Sequence, residues 1–309
     1  MKFLYPGKLP RVFLAGMLAP AMAFAATPAS SVATNRTSSV LCNYSSRVFN
    51  RSPSVNATAT ASWSCSRSSR VLTANGLPDH AVGSFPNSNN PNTIAVQYVS
   101  FSASLTPLKT QVATPRQGPF AKPGMALNGI VFDPSTAGTC SSAGNCQQGG
   151  QAVGQWSLEA LGQTSFKWGT DASNAHVQPT GTYHYHGVPE GLVTKLSAGG
   201  KVMTLIGWAA DGFPIYARYG YVVATDARSA VTIVKPSYRI KTKPDANRPA
   251  TSLYPMGTFT QDYEYVAGAG DLDECNGRTG VTPEFPRGIY HYYATDTFPF
   301  LQRCVKGKL

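Results

Sequence analysis

Charge is scarce in this chain. Only 13% of its 309 residues are Asp, Glu, Lys or Arg, against about 25% in an average globular domain. That excludes a highly charged disordered chain. The lack of any sustained helical period also excludes a coiled coil or a helical bundle. No Cys-x-x-Cys occurs, so a thioredoxin-like centre and a zinc ribbon have no support. A Gly-x-Ser-x-Gly elbow and a Walker loop are missing too, which disfavours a serine hydrolase and a nucleotide-binding enzyme. No apolar run is long enough for a mature membrane span, which needs about 20 residues. Basic residues outnumber acidic ones, 26 to 15, but they are scattered. There is no specific nucleic-acid signal, and a soluble, basic, exported protein is the better reading.

Turn chemistry is plentiful. The 29 glycines and 23 prolines favour turns over long helices. Together with 42% hydrophobic residues, they predict a predominantly β fold of antiparallel or mixed sheets with little helix. The expected architecture is a single large disulfide-stabilised domain, with barrel and sandwich both open. Strand candidates include Val71–Thr73, Ile94–Leu105, Ile130–Phe132, Gly181–Gly187, Val202–Trp208 and Ile289–Tyr293. Ser157–Leu161 reads as one or two helical turns.

The N-terminus reads as a secretory signal. Lys2, Lys8 and Arg11 supply the basic start, Val12–Phe24 the apolar stretch, and Ala23-Phe24-Ala25 the small-x-small cleavage site. The expected organisation is a signal peptide over 1–25, a Ser/Thr-rich lead over 26–56 and a β-rich domain over 57–309. Localisation follows as exported, periplasmic or extracellular. The six cysteines agree with export, because an even count outside the cell implies disulfides. Fifteen pairings are possible. Proximity in sequence favours Cys42–Cys65, Cys140–Cys146 and Cys275–Cys304.

Two aromatic–histidine segments echo each other. Gly181-Thr182-Tyr183-His184-Tyr185-His186 is matched by Gly288-Ile289-Tyr290-His291-Tyr292-Tyr293. Side chains alternate faces along a strand, so His184 and His186 share one face, as do His291 and Tyr293. If the two strands are neighbours, three imidazoles and a phenol converge. His176 lies across a Pro179–Gly181 turn that brings it back towards His184. Neutral imidazole is the commonest protein metal ligand. His176, His184 and His186 are therefore the best metal candidates, with His291 a possible fourth. All-histidine ligation leans towards copper or zinc, whereas a carboxylate from Asp211 leans towards iron or manganese. Asp271, Asp273 and Asn276 before Gly277 have the wrong spacing for a calcium loop, which makes calcium less favoured. Asp79-His80 is either a hydrogen-bonded pair or a base with its orienter. Asp211, His80, Asp79 and Tyr293 are the candidate supporting residues.

The block Asn174–Gly187, which carries Tyr183-His184-Tyr185-His186, resembles the signature of the YHYH-domain family. Asn75–His80, Asn128–Pro134, Gly207–Tyr216, Asp271–Arg278, Thr282–Pro286 and Gly288–Pro299 resemble further blocks of that family in the same order. The resemblance covers Asn75–Leu309. It implies an exported protein and brings no reaction with it. Tyr293 stands where a second histidine would complete the motif, which makes His291 a weaker ligand candidate than His184 or His186.

Three functions compete. The first is an exported metal-binding protein centred on His176, His184 and His186. The second is a metal-independent hydrolase or lyase using a histidine with Asp79 or Asp211. The third is an extracellular glycan- or ligand-binding module, with Trp156, Trp168, Trp208 and the tyrosines as its surface. The partner in each case is a metal ion or an unidentified small ligand.

Overall fold

The computed structural model describes residues 41–116 and 122–309. The expected signal peptide, and the lead as far as residue 40, lie outside the described residues. An antiparallel four-stranded sheet comes first: β1 (Ser45–Asn50), β2 (Ala57–Cys65), β3 (Ser69–Ala74) and β4 (Val99–Ser104), in that order. Alternation builds it: Ala59, Ala61 and Trp63 of β2 are buried, and Ser62 and Ser64 are exposed. The Ser/Thr-rich stretch thus supplies the edge strand β1. After β5 (Lys109–Pro115), a hairpin of β6 (Gly124–Ala126) and β7 (Val131–Phe132) turns over Asn128-Gly129. A small sheet of β8 (Thr139–Cys140), β9 (Cys146–Gln147) and β10 (Trp156–Ser157) carries the Cys140–Cys146 disulfide.

A second hairpin joins β11 (Ala175–Val177) to β12 (Tyr183–Tyr185), and the helix α1 (Glu190–Ser197) follows. A third joins β13 (Thr204–Ala209) to β14 (Pro214–Ala217) over Asp211-Gly212. Two ribbons come next: β15 (Tyr219–Tyr221) with β16 (Val231–Ile233), and β17 (Tyr238–Ile240) with β18 (Tyr263–Tyr265). The pair β19 (Gly277–Gly280) and β20 (Ile289–Ala294) precedes β21 (Cys304–Gly307), which returns to β5. The other disulfides are Cys42–Cys65 and Cys275–Cys304, so the three pairings are those favoured by proximity. Ser157–Leu161 is not helical: Trp156–Ser157 is a strand, and Leu158 bridges Phe259.

The hairpins merge into one eight-stranded mixed sheet, ordered β11-β12-β7-β6-β13-β14-β20-β19. Pairing is parallel only at β12–β7 and β14–β20. Both faces are buried. One face packs Phe132, Tyr183, Tyr185, Ile215, Tyr290 and Tyr292 into the larger core. The other packs Met125, Trp208, Tyr216 and Tyr293 against Ala61, Trp63, Leu72 and Ala74 of the first sheet. Burying each large apolar side chain contributes about 1.5–3 kcal/mol. Trp63 Nε1–H also donates to the Leu127 carbonyl at 2.8 Å, so the turn after β6 is held by the first sheet.

That contact depends on Gly129, which adopts φ 81°. A Cβ there would sit 2.3 Å from the Ala74 Cβ. Gly129→Ala combines left-handed strain with overpacking. It should destabilise the protein by roughly 2–4 kcal/mol, read as a lower urea midpoint with an unchanged slope. A midpoint equal to wild type contradicts this packing of sheet on sheet.

Candidate metal centre

The β11–β12 hairpin places the histidines. Its turn closes with Gln178 N–H donating to Thr182 O at 2.9 Å and Gly181 N–H to Gln178 O at 2.8 Å. Register then sets His176 directly opposite His184. His186 follows two residues on, on the same face, with its N–H donating to Asn174 O at 2.8 Å. The three rings form a nearly equilateral triangle with centroid separations of 4.6, 4.7 and 4.7 Å. One ring nitrogen of each lies within 4.8 Å of the others. All three residues are buried, His184 and His186 at 2% exposure and His176 at 8%.

Hydrogen bonds assign the tautomers. Carbonyls only accept, so His176 Nδ1–H donates to Trp168 O at 2.7 Å and His184 Nδ1–H to Thr182 O at 3.2 Å. Each Nε2 therefore keeps its lone pair. His176 Nε2 lies 3.1 Å from His186 Nε2, and His186 Nδ1 is buried with no hydrogen-bond partner. Two carbonyl-oriented imidazoles, each presenting Nε2, are the usual arrangement around metal-binding histidines.

Burial also sets the charge. It lowers the pKa of His184 to about 3, helped by the neighbouring His176. His186 is pushed well down by burial and then by His184 and His176, and burial lowers His176 as well. The cluster is thus a set of neutral nitrogen donors at physiological pH. Asp133, next in register beside His186, has its carboxyl pushed up to about 7 by burial. It accepts from Gln178 Nε2 at 3.2 Å. Asp133 stands at no ligand-like spacing from the histidines in sequence. Only the parallel β12–β7 pairing brings Asp133 there.

The remaining candidates lie elsewhere. His291 and Tyr293 are on β20, five strands from β12 in the sheet, so the two echoing strands are not neighbours. Each pairs in parallel with its own hairpin instead. His291 Nε2 is 2.9 Å from the Tyr293 hydroxyl, and its Nδ1–H donates to Ile289 O at 2.9 Å. Asp211 accepts from the Tyr292 hydroxyl at 2.5 Å and Gly307 N–H at 2.8 Å. Asp79 accepts from Ser46, Asn128 and Lys195. His80 Nε2 bonds the Tyr185 hydroxyl at 2.6 Å, on the face opposite the triad. Asp273 accepts from Cys275 N–H, Gly277 N–H and Tyr290, leaving little of it to a cation. Trp156 and Trp208 are buried, and Arg70 covers Trp208 at 3.3 Å. Neither offers an open platform for a sugar.

Fold and cluster together define a mostly β, disulfide-bonded protein with a buried three-imidazole centre. The family described as YHYH protein matches residues 100–307, which takes in all eight strands of the large sheet, and the chain belongs to that family. No curated protein and no solved structure matches it.

Neutral burial of His184 has a direct consequence. Its folded pKa lies below the unfolded value near 6.5. Above pH 6.5 both states are neutral and the group is silent. As pH falls from 6.5 towards the folded value, only the unfolded chain takes up the proton, so stability is lost. Relative to His184→Gln, the metal-free wild type should lose up to about 1.4 kcal/mol per pH unit over that window. Denaturation across pH 7 to 4 measures it. A flat difference contradicts the neutral, desolvated imidazole.

Proposed function

We propose that this is an exported metal-binding protein whose ion is held by one ring nitrogen from each of His176, His184 and His186. The observation that carries the reading is the convergence of these nitrogens, with two of the rings oriented by carbonyls through Nδ1. The donor set is all nitrogen, which favours copper or zinc and disfavours calcium, a cation that takes oxygen ligands. Three protein ligands leave a tetrahedral ion one position for water or a small anion. The export part of the proposal rests on the basic and apolar N-terminal pattern and on the three disulfides.

A metal-free acid/base role is less well supported. A general base works best with a pKa near the working pH, and burial holds the His184 imidazole far below it. Metal binding needs the opposite: an imidazole already free of its proton.

Elemental analysis of protein from its native exported compartment tests the proposal. Wild type should hold about one equivalent of copper or zinc, and folded His184→Ala/His186→Ala should hold less than a tenth of that. Tyr185→Phe alters the opposite face and should keep its metal. Wild type that stays empty after loading with copper and zinc overturns the reading.

A further inference from the structure

The eight-stranded sheet is a repeat of itself. Its order reads as two copies of four strands, β11-β12-β7-β6 and β19-β20-β14-β13, joined antiparallel at β6–β13. Pairing within each copy runs antiparallel, parallel, antiparallel. Registers agree residue for residue. Tyr185 faces Phe132 and Tyr292 faces Ile215, each four residues after the Asn128 or Asp211 that opens the turn. Gly129 and Gly212 both take positive φ, 81° and 91°. The Asn128 amide donates to the Tyr185 hydroxyl at 2.9 Å, and the Tyr292 hydroxyl to Asp211 at 2.5 Å.

The match extends into the loop before each outer strand. Asp171 accepts from Tyr183 at 2.8 Å and Asp273 from Tyr290 at 2.9 Å. Three residues on, Asn174 and Asn276 are left-handed at φ 55° and 60°. Their carbonyls accept from His186 N–H and Tyr293 N–H at 2.8 and 2.9 Å. The His184 ring donates to the carbonyl two residues back, and the His291 ring does the same.

Superposed by this register, the triad positions of His176, His184 and His186 are filled in the second copy by Arg278, His291 and Tyr293. His176 faces His184 as Arg278 faces His291. Arg278 Nη2 donates to the Tyr293 hydroxyl at 3.3 Å and to Tyr221 O at 2.8 Å. The Tyr293 hydroxyl in turn lies 2.9 Å from His291 Nε2. We propose that the Arg278–His291–Tyr293 cluster is a second copy of the three-histidine site in which a guanidinium is the resident cation. The chain therefore takes one metal ion, and restoring two imidazoles opens a second site for a divalent transition metal. The repeat is independent of the metal reading, and only the first equivalent rests on it.

Loading with cobalt(II), removal of free ion and elemental counting test this. Wild type should hold one equivalent and Arg278→His/Tyr293→His two. A folded double variant with no more metal than wild type overturns the proposal. Failure of the triad reading looks different: wild type then holds none, and the double variant still gains one. Should the double variant not fold, imidazole NMR of wild type decides. Cobalt that adds a contact shift at His291 overturns the proposal. A His291 that keeps its Nδ1–H tautomer without one supports it.

Discussion

Two-residue periodicity on a strand buried on both sides is the constraint from which the rest follows. In Tyr183-His184-Tyr185-His186, the phenols go to one core and the imidazoles to the other face. A buried hydroxyl needs a partner, and the loops supply one each time: Asp171 for Tyr183, Asn128 and His80 for Tyr185, Asp273 for Tyr290, Asp211 for Tyr292. These bonds tie each aromatic strand to the turn beside it. The loop glycines are required because the backbone of those turns comes close to its neighbours.

The opposite face meets a different electrostatic problem. Imidazoles buried this deeply stay neutral, because desolvation penalises the cation. In the proposed reading, neutral ring nitrogens a few ångströms apart take a metal ion rather than a proton, since one ion satisfies all three at once. The second copy reaches the same end within the polypeptide. Arg278 stays charged where an imidazole would not, and Tyr293 passes the hydrogen bond on to His291. Sheet, turns and aspartate anchors are common to both copies, and the two clusters differ at two positions, His176 against Arg278 and His186 against Tyr293.

Much of this was legible in the chain itself. The β class came from turn residues and the lack of helical period. The shared face of His184 and His186 came from strand alternation, and the return of His176 from the Pro179–Gly181 turn. Pairing between distant segments was not legible. Periodicity says which face a residue occupies, not which strand lies beside it. The contact of β12 with β7 spans more than fifty residues, and it alone brings Asp133 next to His186. The echo of the two aromatic segments was visible, but as equivalent positions in a repeat rather than as neighbours. The helix Glu190–Ser197 was missed because it is short, with only Leu192 and Val193 buried.

X-ray absorption at the metal edge of the loaded protein is the most direct test of the central claim. The account predicts a nitrogen shell at about 2.0–2.1 Å for zinc, with outer-shell scattering from three imidazole rings that disappears in His184→Ala/His186→Ala. A first shell of oxygen or sulfur, without imidazole scattering, would contradict it.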